Sequence, residues 1–239
     1  MTTFTTRKEL SQGRSPSPPS IEFLITTFNR QKSCQRLVDA LQGLGEITVL
    51  NDGCNYEIKG CRQVFKRTHG GKRGYWDTVN TLFSIRGKHK YYIMLPDDFL
   101  TNREMVEKAV ELWEGIKDKR KICLNLYADR IGMTCWTNFQ PRDRGLYWQA
   151  QWVDMCFICE YLFFDTLGRI NGPLRRSISS GVGSYISRKL SKTKYNLYQV
   201  KESLITIQPE HYNSQIYGNH TNSTDRNAAR KIGGFEIIT

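Results

Sequence analysis

The chain has 239 residues, enough for one large domain or two small ones whose core needs no disulfide support. A hydrophobic content of 39% and a charged content of 24% are typical of a globular protein and exclude a largely disordered or fibrous chain. The net charge of +12 favours a polyanionic partner, such as nucleic acid, an anionic membrane surface or a phosphorylated substrate.

Neither the cysteines nor the apolar segments indicate secretion or membrane insertion. The seven cysteines are odd in number, and the CxxC of Cys156 and Cys159 has no second pair at zinc spacing. Buried free thiols in a reducing compartment are therefore favoured over a metal or redox site. The N-terminal MTTFTTRKELSQ has no apolar core, and no apolar run approaches the roughly 20 residues of a membrane helix. We expect a soluble, cytoplasmic protein, in the host cytoplasm if the chain is viral.

The order of the predicted elements indicates an α/β fold. Residues 1–20 are polar and end in SPSPPS, which predicts a flexible N-terminal arm. From Ile21, the segments IEFLITTF and EITVLND predict strands, with an amphipathic helix between them. The helix GYWDTVNTLFSI, the strand KYYIMLP, a helix over EMVEKAVELWEGI and the strand KICLNLY follow. This alternation predicts one domain with a mostly parallel central sheet flanked by helices.

Ligands of such sheets bind at the carboxyl ends of the strands. This rule places the segments Thr26–Arg30, Asn51–Gly53 and Pro96–Asp98 in one crevice. The last segment carries two adjacent acids, and Mg²⁺ usually takes one or two carboxylates plus substrate phosphates. As an alternative, the two acids cap the helix that begins near Asn102, or simply form a turn.

The set ITTFNR, a helix, VLNDG, the helix GYWDTVNTLFSI and then YYIMLPDDF resembles the nucleotide-binding half of GT-A glycosyltransferases, over Ile21 to Phe99. That family has a strand ending in T-x-N-R, a second strand ending in D-G, and a DxD-type metal motif. The resemblance implies a single GT-A-like (Rossmann-like) domain, with a nucleotide-sugar-binding half at residues 21–129 and an acceptor-binding half at 130–239. It also implies a UDP-sugar donor and Mn²⁺ or Mg²⁺ as cofactor.

Carried over position by position, the resemblance implies a donor pocket at the ends of the first two strands. The residues that would line it are Thr27, Asn29, Arg30, Asp52 and Gly53. Of these, the aspartate would meet the uracil ring. Asp97 would contact the sugar or ribose, and the basic segment that ends at Arg73 would partly serve the donor diphosphate.

The resemblance implies that Asp98 holds the metal, because Pro96 stands where the fuller motif has its first acid. GT-A enzymes often supply a further histidine ligand near the C-terminus. His220 in YGNHTNS is the best match, with His211 as the competitor. A lone histidine is at least as often a satisfied surface or core residue.

An inverting enzyme also needs a general base within reach of the acceptor hydroxyl. Asp154 in QAQWVDMCF is the candidate, since the neighbouring aromatic residues could stack an acceptor and raise the pKa of the carboxylate. The acid pair usual in this region of the family is replaced by SSGVGSY. A retaining mechanism, which needs no such base, stays open.

Two acid-free segments, Lys59–Arg73 and Arg169–Lys194, carry the excess positive charge. The second interleaves cations with Ser, Gly and Tyr, a pattern typical of contacts with a phosphate backbone. Its candidate nucleic-acid-binding residues are Arg175, Arg176, Arg188, Lys189 and Lys192. A generic basic surface is the alternative. If DNA is the acceptor, a base must leave the stack, as it does for phage or protist enzymes that glycosylate hydroxymethylated pyrimidines.

The leading hypothesis is therefore a metal-dependent transferase that moves a sugar from a nucleotide donor to a hydroxyl, with DNA as the favoured acceptor. One alternative is the same chemistry on a glycan or a lipid-linked acceptor. Others are a non-catalytic nucleic-acid-binding protein and a nucleotidyltransferase, which also uses paired carboxylates and a metal.

Overall fold

The central strands are buried along almost their whole length. All seven residues of β1 (Ile21–Thr27), six of the seven in β2 (Glu46–Asp52) and five of the six in β4 (Tyr91–Pro96) are buried. Continuous burial of this kind requires cover on both faces, which is how helices flank the parallel strands of α/β sheets.

The computed structural model describes residues 20–66, 68–128, 140–172 and 181–211. The remaining strands are β3 (Arg62–Lys66), β5 (Phe99–Leu100), β6 (Lys121–Asn125), β7 (Arg142–Asp143), β8 (Tyr147–Ala150), β9 (Phe157–Cys159), β10 (Asn196–Val200) and β11 (Thr206–Ile207). The helices are α1 (Gln31–Leu41), α2 (Gly71–Ser84), α3 (Arg103–Gly115), α4 (Tyr161–Leu167) and α5 (Val182–Leu190), followed by a 3₁₀ turn at Pro209–His211.

Nine strands form one sheet in the order β3-β2-β1-β4-β9-β6-β10-β8-β7, and β5 pairs with β11 in a small second sheet. From β3 to β4 every ladder is parallel, and so is the ladder between β6 and β10. The strands β8 and β9 run antiparallel to their neighbours. The predicted α/β domain with a helix-flanked sheet is confirmed, with a fully parallel half and a mixed half.

The two faces of the sheet pack against different helices. Alternate strand residues such as Phe23 and Ile25 belong to one core, together with the apolar sides of α1 and α3. The intervening Leu24 belongs to a second core, with α2, α4 and α5. Successive side chains of a strand point to opposite faces of the sheet, and here both faces are buried. None of the described helices is both long and apolar enough to cross a membrane.

Five strands of the nine-stranded sheet, β3, β7, β8, β9 and β10, are not predicted by the sequence pattern, and β3 and β9 show two reasons. Strand β3 lies in the basic segment Lys59–Arg73, where charged residues suit the edge position that it occupies. Strand β9 is only three residues long and sits in the apolar run MCFICE, where periodicity does not separate strand from helix. It inserts between β4 and β6 and so joins the two halves of the sheet.

The register of the parallel strands brings three loops to one edge. Thr26 lies opposite Pro96, and Thr27 lies opposite Asn51, so β1, β2 and β4 end at the same level. The grouping expected from the sequence is therefore present. The C-terminal part of the described chain reaches this edge as well, because β11 pairs with β5 immediately after the acidic turn.

Candidate active site

Two acidic side chains at the end of β4 form the centre of the site. Asp97 and Asp98 lie in the turn before β5, with only 4% and 3% of their surfaces exposed. They do not cap the next helix, because Asn102 is the N-cap of α3 and accepts a hydrogen bond from the Met105 backbone N–H. Burial of two adjacent carboxylates is costly unless their charge is compensated, so a simple turn does not explain them.

Arg30 and Thr27 compensate the acid pair from the end of β1. Nη1 of Arg30 lies 3.0 Å from Oδ1 of Asp97 and 2.8 Å from Oδ2 of Asp98. The Thr27 hydroxyl donates to Oδ2 of Asp97 at 2.8 Å, and the Phe28 backbone N–H donates to the same oxygen at 3.4 Å. The structure thus brings together four residues that the sequence assigned to donor and metal.

Burial, together with the charge of Asp98, raises the pKa of Asp97 to about 7, although Arg30 and the Thr27 hydrogen bond oppose this shift. A carboxyl group with this pKa exchanges its proton near neutral pH. In the folded chain Asp97 therefore holds a proton under conditions where an exposed aspartate is ionised.

We expect this proton to make stability fall as the pH rises towards neutrality. Between about pH 4 and 7 the folded state retains a proton that the unfolded state has lost, so the free energy of unfolding decreases with pH, by at most about 1.4 kcal/mol per unit. Asp97→Asn removes the titrating group and keeps an oxygen for Thr27. Its melting temperature, measured without metal by circular dichroism, should change less between about pH 5 and 8 than that of the wild type. If the melting temperatures of the variant and the wild type change equally with pH, the pKa of Asp97 is not raised by folding.

A partly buried tyrosine, Tyr75, lies beside the end of β1. The Tyr75 hydroxyl lies 2.9 Å from Oγ1 of Thr26 at the end of β1. Burial raises the pKa of Tyr75, and the negative charges of Asp98, Asp97 and Asp154 raise it further. The charges of all three carboxylates therefore act on this one hydroxyl, which places Asp154 in the same region of the sheet as the acid pair.

Asp154 itself lies beside the N-terminal end of α5. Its Oδ1 accepts a hydrogen bond from the Met155 backbone N–H at 2.8 Å. A Cβ placed on Gly183 would lie 3.3 Å from that oxygen, so the glycine leaves room beside the carboxylate. The candidate base expected from the sequence therefore lies next to Gly183 of the SSGVGSY segment.

At the end of β2, Asp52 is paired with two groups that sequence reasoning did not assign to it. Nδ1 of His69 lies 2.8 Å from Oδ2 of Asp52, and Nζ of Lys66 lies 3.5 Å from Oδ1. The His69 ring stacks on Phe28 at a centroid distance of 3.4 Å. Gly53, with φ of +90°, permits this closure, since a Cβ there would lie 2.5 Å from the His69 backbone nitrogen. His69 was missed because nothing in HGGKRG marks its distant partner.

Asn29 and Tyr56 tie the β1 and β2 loops together. Asn29 adopts a positive φ of 54° and accepts a hydrogen bond from the Cys54 thiol at 3.2 Å. The Tyr56 hydroxyl lies 2.7 Å from Oγ1 of Thr27 and accepts from the Arg30 backbone N–H at 3.3 Å. These contacts hold the TTFNR segment in the position from which it reaches the acid pair.

The C-terminal part of the described chain is fastened to the acidic turn. The Gln208 backbone N–H donates to the Asp98 carbonyl at 2.8 Å. Beyond it, Nε2 of His211 lies 2.8 Å from Oγ of Ser33. Burial and the charge of Arg30 lower the pKa of His211, while Asp98 opposes this. His211 is thus close enough to the acid pair to respond to its charge, and its lowered pKa favours the neutral form that binds metals.

The other residues singled out in the sequence are exposed or half-buried, or lie outside the described residues. Arg73 is exposed in the first turn of α2. Arg188 and Lys192 are exposed at and beyond the C-terminal end of α5, and Nζ of Lys189 lies 3.5 Å from the Arg169 carbonyl. Arg175, Arg176 and His220 lie outside the described residues. Within the described part of the chain, no group of three or more His, Cys, Asp and Glu side chains could hold a metal ion.

No protein-family model and no curated protein matches the chain. Its structure is similar to that of GalNAc-T7 solved with UDP, GalNAc and Mn²⁺, with a TM-score of 0.55 and 16% identity over 77% of this chain and 42% of that one. It is also similar to residues 1–349 of S. aureus TarS, with a TM-score of 0.57 and 11% identity over 79% of this chain and 60% of that one. The chain therefore spans about two fifths and three fifths of these two structures. Both are GT-A glycosyltransferases, and the fold expected from the sequence, the GT-A fold, is thereby confirmed.

Proposed function

We propose that this protein is a metal-dependent glycosyltransferase that moves a sugar from a nucleotide sugar, most simply a UDP-sugar, to a hydroxyl acceptor. The observation that carries the proposal is a buried acid pair, compensated by Arg30, at the carboxyl edge of a GT-A sheet. GalNAc-T7, which has a similar fold, was solved with UDP, GalNAc and Mn²⁺, and this supports the same classes of donor and cation here.

The donor would lie between the β1 and β2 loops. The Phe28–His69 stack and the carboxylate of Asp52 offer a flat ring surface and a hydrogen-bond acceptor for a base. Arg30 and the N-terminal end of α2, which has no acidic residue in its first turn, favour the negative charge of a diphosphate. Arg73, exposed in that turn, adds a further cation.

The acid pair fits a hard divalent cation. Its donors are carboxylate oxygens, and Mg²⁺ sites are commonly completed by substrate phosphates and water rather than by further side chains. Asp98 would hold the ion, with Asp97 beside it facing the sugar or ribose. A bound cation would offset the charge of the leaving nucleoside diphosphate. Arg30 places a second positive charge on the same carboxylates, so it would share that task.

The acceptor hydroxyl would lose its proton to Asp154. The charge of the Asp154 carboxylate acts on the Tyr75 hydroxyl, as do the charges of the acid pair, and Gly183 leaves space beside Asp154. A base must lie within hydrogen-bond reach of the acceptor hydroxyl, and this space would admit that hydroxyl.

We expect His220, the best match to the histidine ligand that the resemblance implies, to supply a further metal ligand. His220→Ala should weaken Mn²⁺ binding in the presence of UDP by at least about tenfold. Electron paramagnetic resonance of free Mn²⁺ measures this binding directly. His211→Ala is the matched variant, and we expect it to bind Mn²⁺ like the wild type, because Nε2 of His211 lies 2.8 Å from Oγ of Ser33 and, within the described residues, His211 forms no metal-holding group with the acid pair. The reverse result would assign the ligand to His211.

We further propose that the acceptor is a hydroxymethylated base in DNA, as for phage enzymes of this class. The net charge of +12 and the cations at the end of α5 support a phosphate-rich acceptor. One alternative is the same donor chemistry with a glycan or a lipid-linked acceptor. Another is a non-catalytic protein whose positive charge serves only to bind nucleic acid.

Incubation with Mn²⁺ and a panel of nucleotide sugars, with and without hydroxymethylated DNA, tests the proposal. We expect one donor to release its nucleoside diphosphate, faster when the DNA is present, and the sugar to appear on the DNA by mass spectrometry. If only a glycan or a lipid-linked acceptor accelerates donor turnover, the acceptor is that molecule and not DNA. Release of pyrophosphate from a nucleoside triphosphate would indicate a nucleotidyltransferase. If no substrate is turned over, the proposed enzyme activity is contradicted.

A further inference from the structure

A second depression in the surface lies away from the acid pair. It is a cavity of about 350 Å³ between the segment after α3, the β7–β8 hairpin and strand β10. Its lining includes the cations Lys117, Arg120, Arg142 and Arg144, with Asp118 and Tyr147. This lining, together with Lys194, forms the basic groove.

The groove carries five cations and one acid. Arg120, whose side chain is 64% exposed, has its Nε 3.8 Å from Oδ1 of Asp118. It is the only one of the five with an ion pair among the described residues. Oδ2 of Asp118 also accepts hydrogen bonds from Nδ2 of Asn196 at 2.5 Å and from the Tyr198 hydroxyl at 2.7 Å. The positive charge of Lys117, Arg142 and Arg144 is therefore largely uncompensated.

The groove continues into a neighbouring cavity. This cavity, of about 220 Å³, shares Arg120, Gln149 and Asn196 with the first and adds Lys194. Lys194 is exposed and lies 5.5 Å from the centre of the Tyr195 ring. The two adjoining cavities together bring the five cations next to the amide groups of Gln149 and Asn196 and the half-buried Tyr147 and Tyr195.

The groove residues Lys117, Arg120 and Asn196 lie at the opposite edge of the sheet from the acid pair, and the β7–β8 part of the groove lies on the far half of the sheet, where β9, β6 and β10 separate β8 from β4. Strands β4 and β6 are parallel to each other because both run antiparallel to β9. Lys121 begins β6 beside the groove, whereas Pro96 ends β4 at the acidic turn. The six residues of β4 alone separate the two edges by roughly 20 Å. A ligand that occupied both regions at once would have to be a polymer.

We propose that the basic groove binds the phosphodiester backbone of a nucleic acid, at a site separate from the sugar-transfer crevice. Three of its five cations are arginines, whose planar guanidinium matches phosphate oxygens in pairs. The tyrosines and amides beside them can stack on or hydrogen-bond to unpaired bases. The proposal rests on the proposed nucleic-acid acceptor and assigns its backbone to a surface that the sequence did not indicate.

The test uses the full chain and a fluorescently labelled DNA duplex. Arg142→Gln/Arg144→Gln should weaken binding, measured by anisotropy, by at least about tenfold at low salt, and should reduce the slope of log K against log salt by about 2. Lys117→Gln/Lys194→Gln, which leaves the β7–β8 hairpin intact, should act in the same direction. Arg103→Gln/Lys108→Gln on exposed α3 removes the same charge elsewhere and should bind DNA like the wild type.

Release of nucleoside diphosphate from the donor without DNA separates this proposal from the proposed enzyme. The groove variants should retain it, since the groove lies far from the acid pair. Equal weakening by the groove and α3 variants would show that only net charge matters, and would overturn the proposal. So would groove variants that lose heparin binding but bind DNA normally, because the groove would then fit an acidic glycan. If the wild type turns over no donor but the groove variants lose DNA binding as expected, the groove proposal is supported and the proposed enzyme activity is contradicted.

Discussion

Asp98→Asn is expected to reduce sugar transfer at least about a thousandfold. A catalytic cation stabilises transition-state charge by several kcal/mol, and each 1.36 kcal/mol corresponds to a tenfold change in rate. Asparagine has nearly the same size as aspartate but lacks the charge that binds a cation and pairs with Arg30. The donor should therefore lose its Mn²⁺-dependent affinity as well. Isothermal titration of UDP with and without Mn²⁺, together with the transfer rate, measures both effects.

Asp165→Asn is the matched control for this variant, since it removes one exposed carboxylate from α4. It should leave both the rate and UDP binding unchanged. Removal of metal from the wild type with a chelator should reproduce the defect of Asp98→Asn. If that variant keeps Mn²⁺-dependent UDP binding within about threefold of the wild type, the acid pair is not the metal site.

Several features of the site follow from the sequence because they depend on local pattern and strand topology. A buried apolar strand that ends in polar residues predicts where its carboxyl end lies, and parallel strands align these ends. Thr27, Arg30 and the acid pair could therefore be grouped before their contacts were known. Their mutual hydrogen bonds at 2.8–3.0 Å agree with that grouping.

Other parts of the site depend on contacts that no local pattern contains. Tyr75 reaches Thr26 across 49 positions, and Gln208 donates to the Asp97 carbonyl across 111 positions. Such pairs are selected by the packed fold, so their residue types carry no signal of a partner. The same holds for β9, which is too short to show a periodicity but separates β4 from β6.

The basic groove was missed for a related reason. In the sequence, the acid-free runs of cations are Lys59–Arg73 and Arg169–Lys194. The groove takes most of its cations from two other segments, after α3 and in the β7–β8 hairpin, where acids are close in sequence. The β8–β10 ladder brings these segments together, and their acids are used in contacts of their own, as Asp143 is with Lys201 at 2.6 Å.

Asp154→Asn is expected to lower kcat for transfer by about 100- to 10,000-fold, the usual contribution of a general base. The KM for the donor should change little, because Asp154 is assigned to the acceptor hydroxyl and not to the nucleotide. The variant keeps a side-chain oxygen for the Met155 N–H, so the fold at this position should be preserved. Steady-state kinetics over a range of pH would show the acidic limb of the wild-type kcat profile disappear in the variant.

A structural role for Asp154 would give a different pattern. It would lower the melting temperature and raise the KM for the donor while leaving the shape of the pH profile intact. Asp165→Asn again controls for the loss of one carboxylate. If Asp154→Asn transfers sugar at nearly the wild-type rate, the proton is accepted elsewhere or the enzyme is retaining. The anomeric configuration of the product, read by NMR, decides between these two, since a retaining transfer needs no base at this position and an inverting one does.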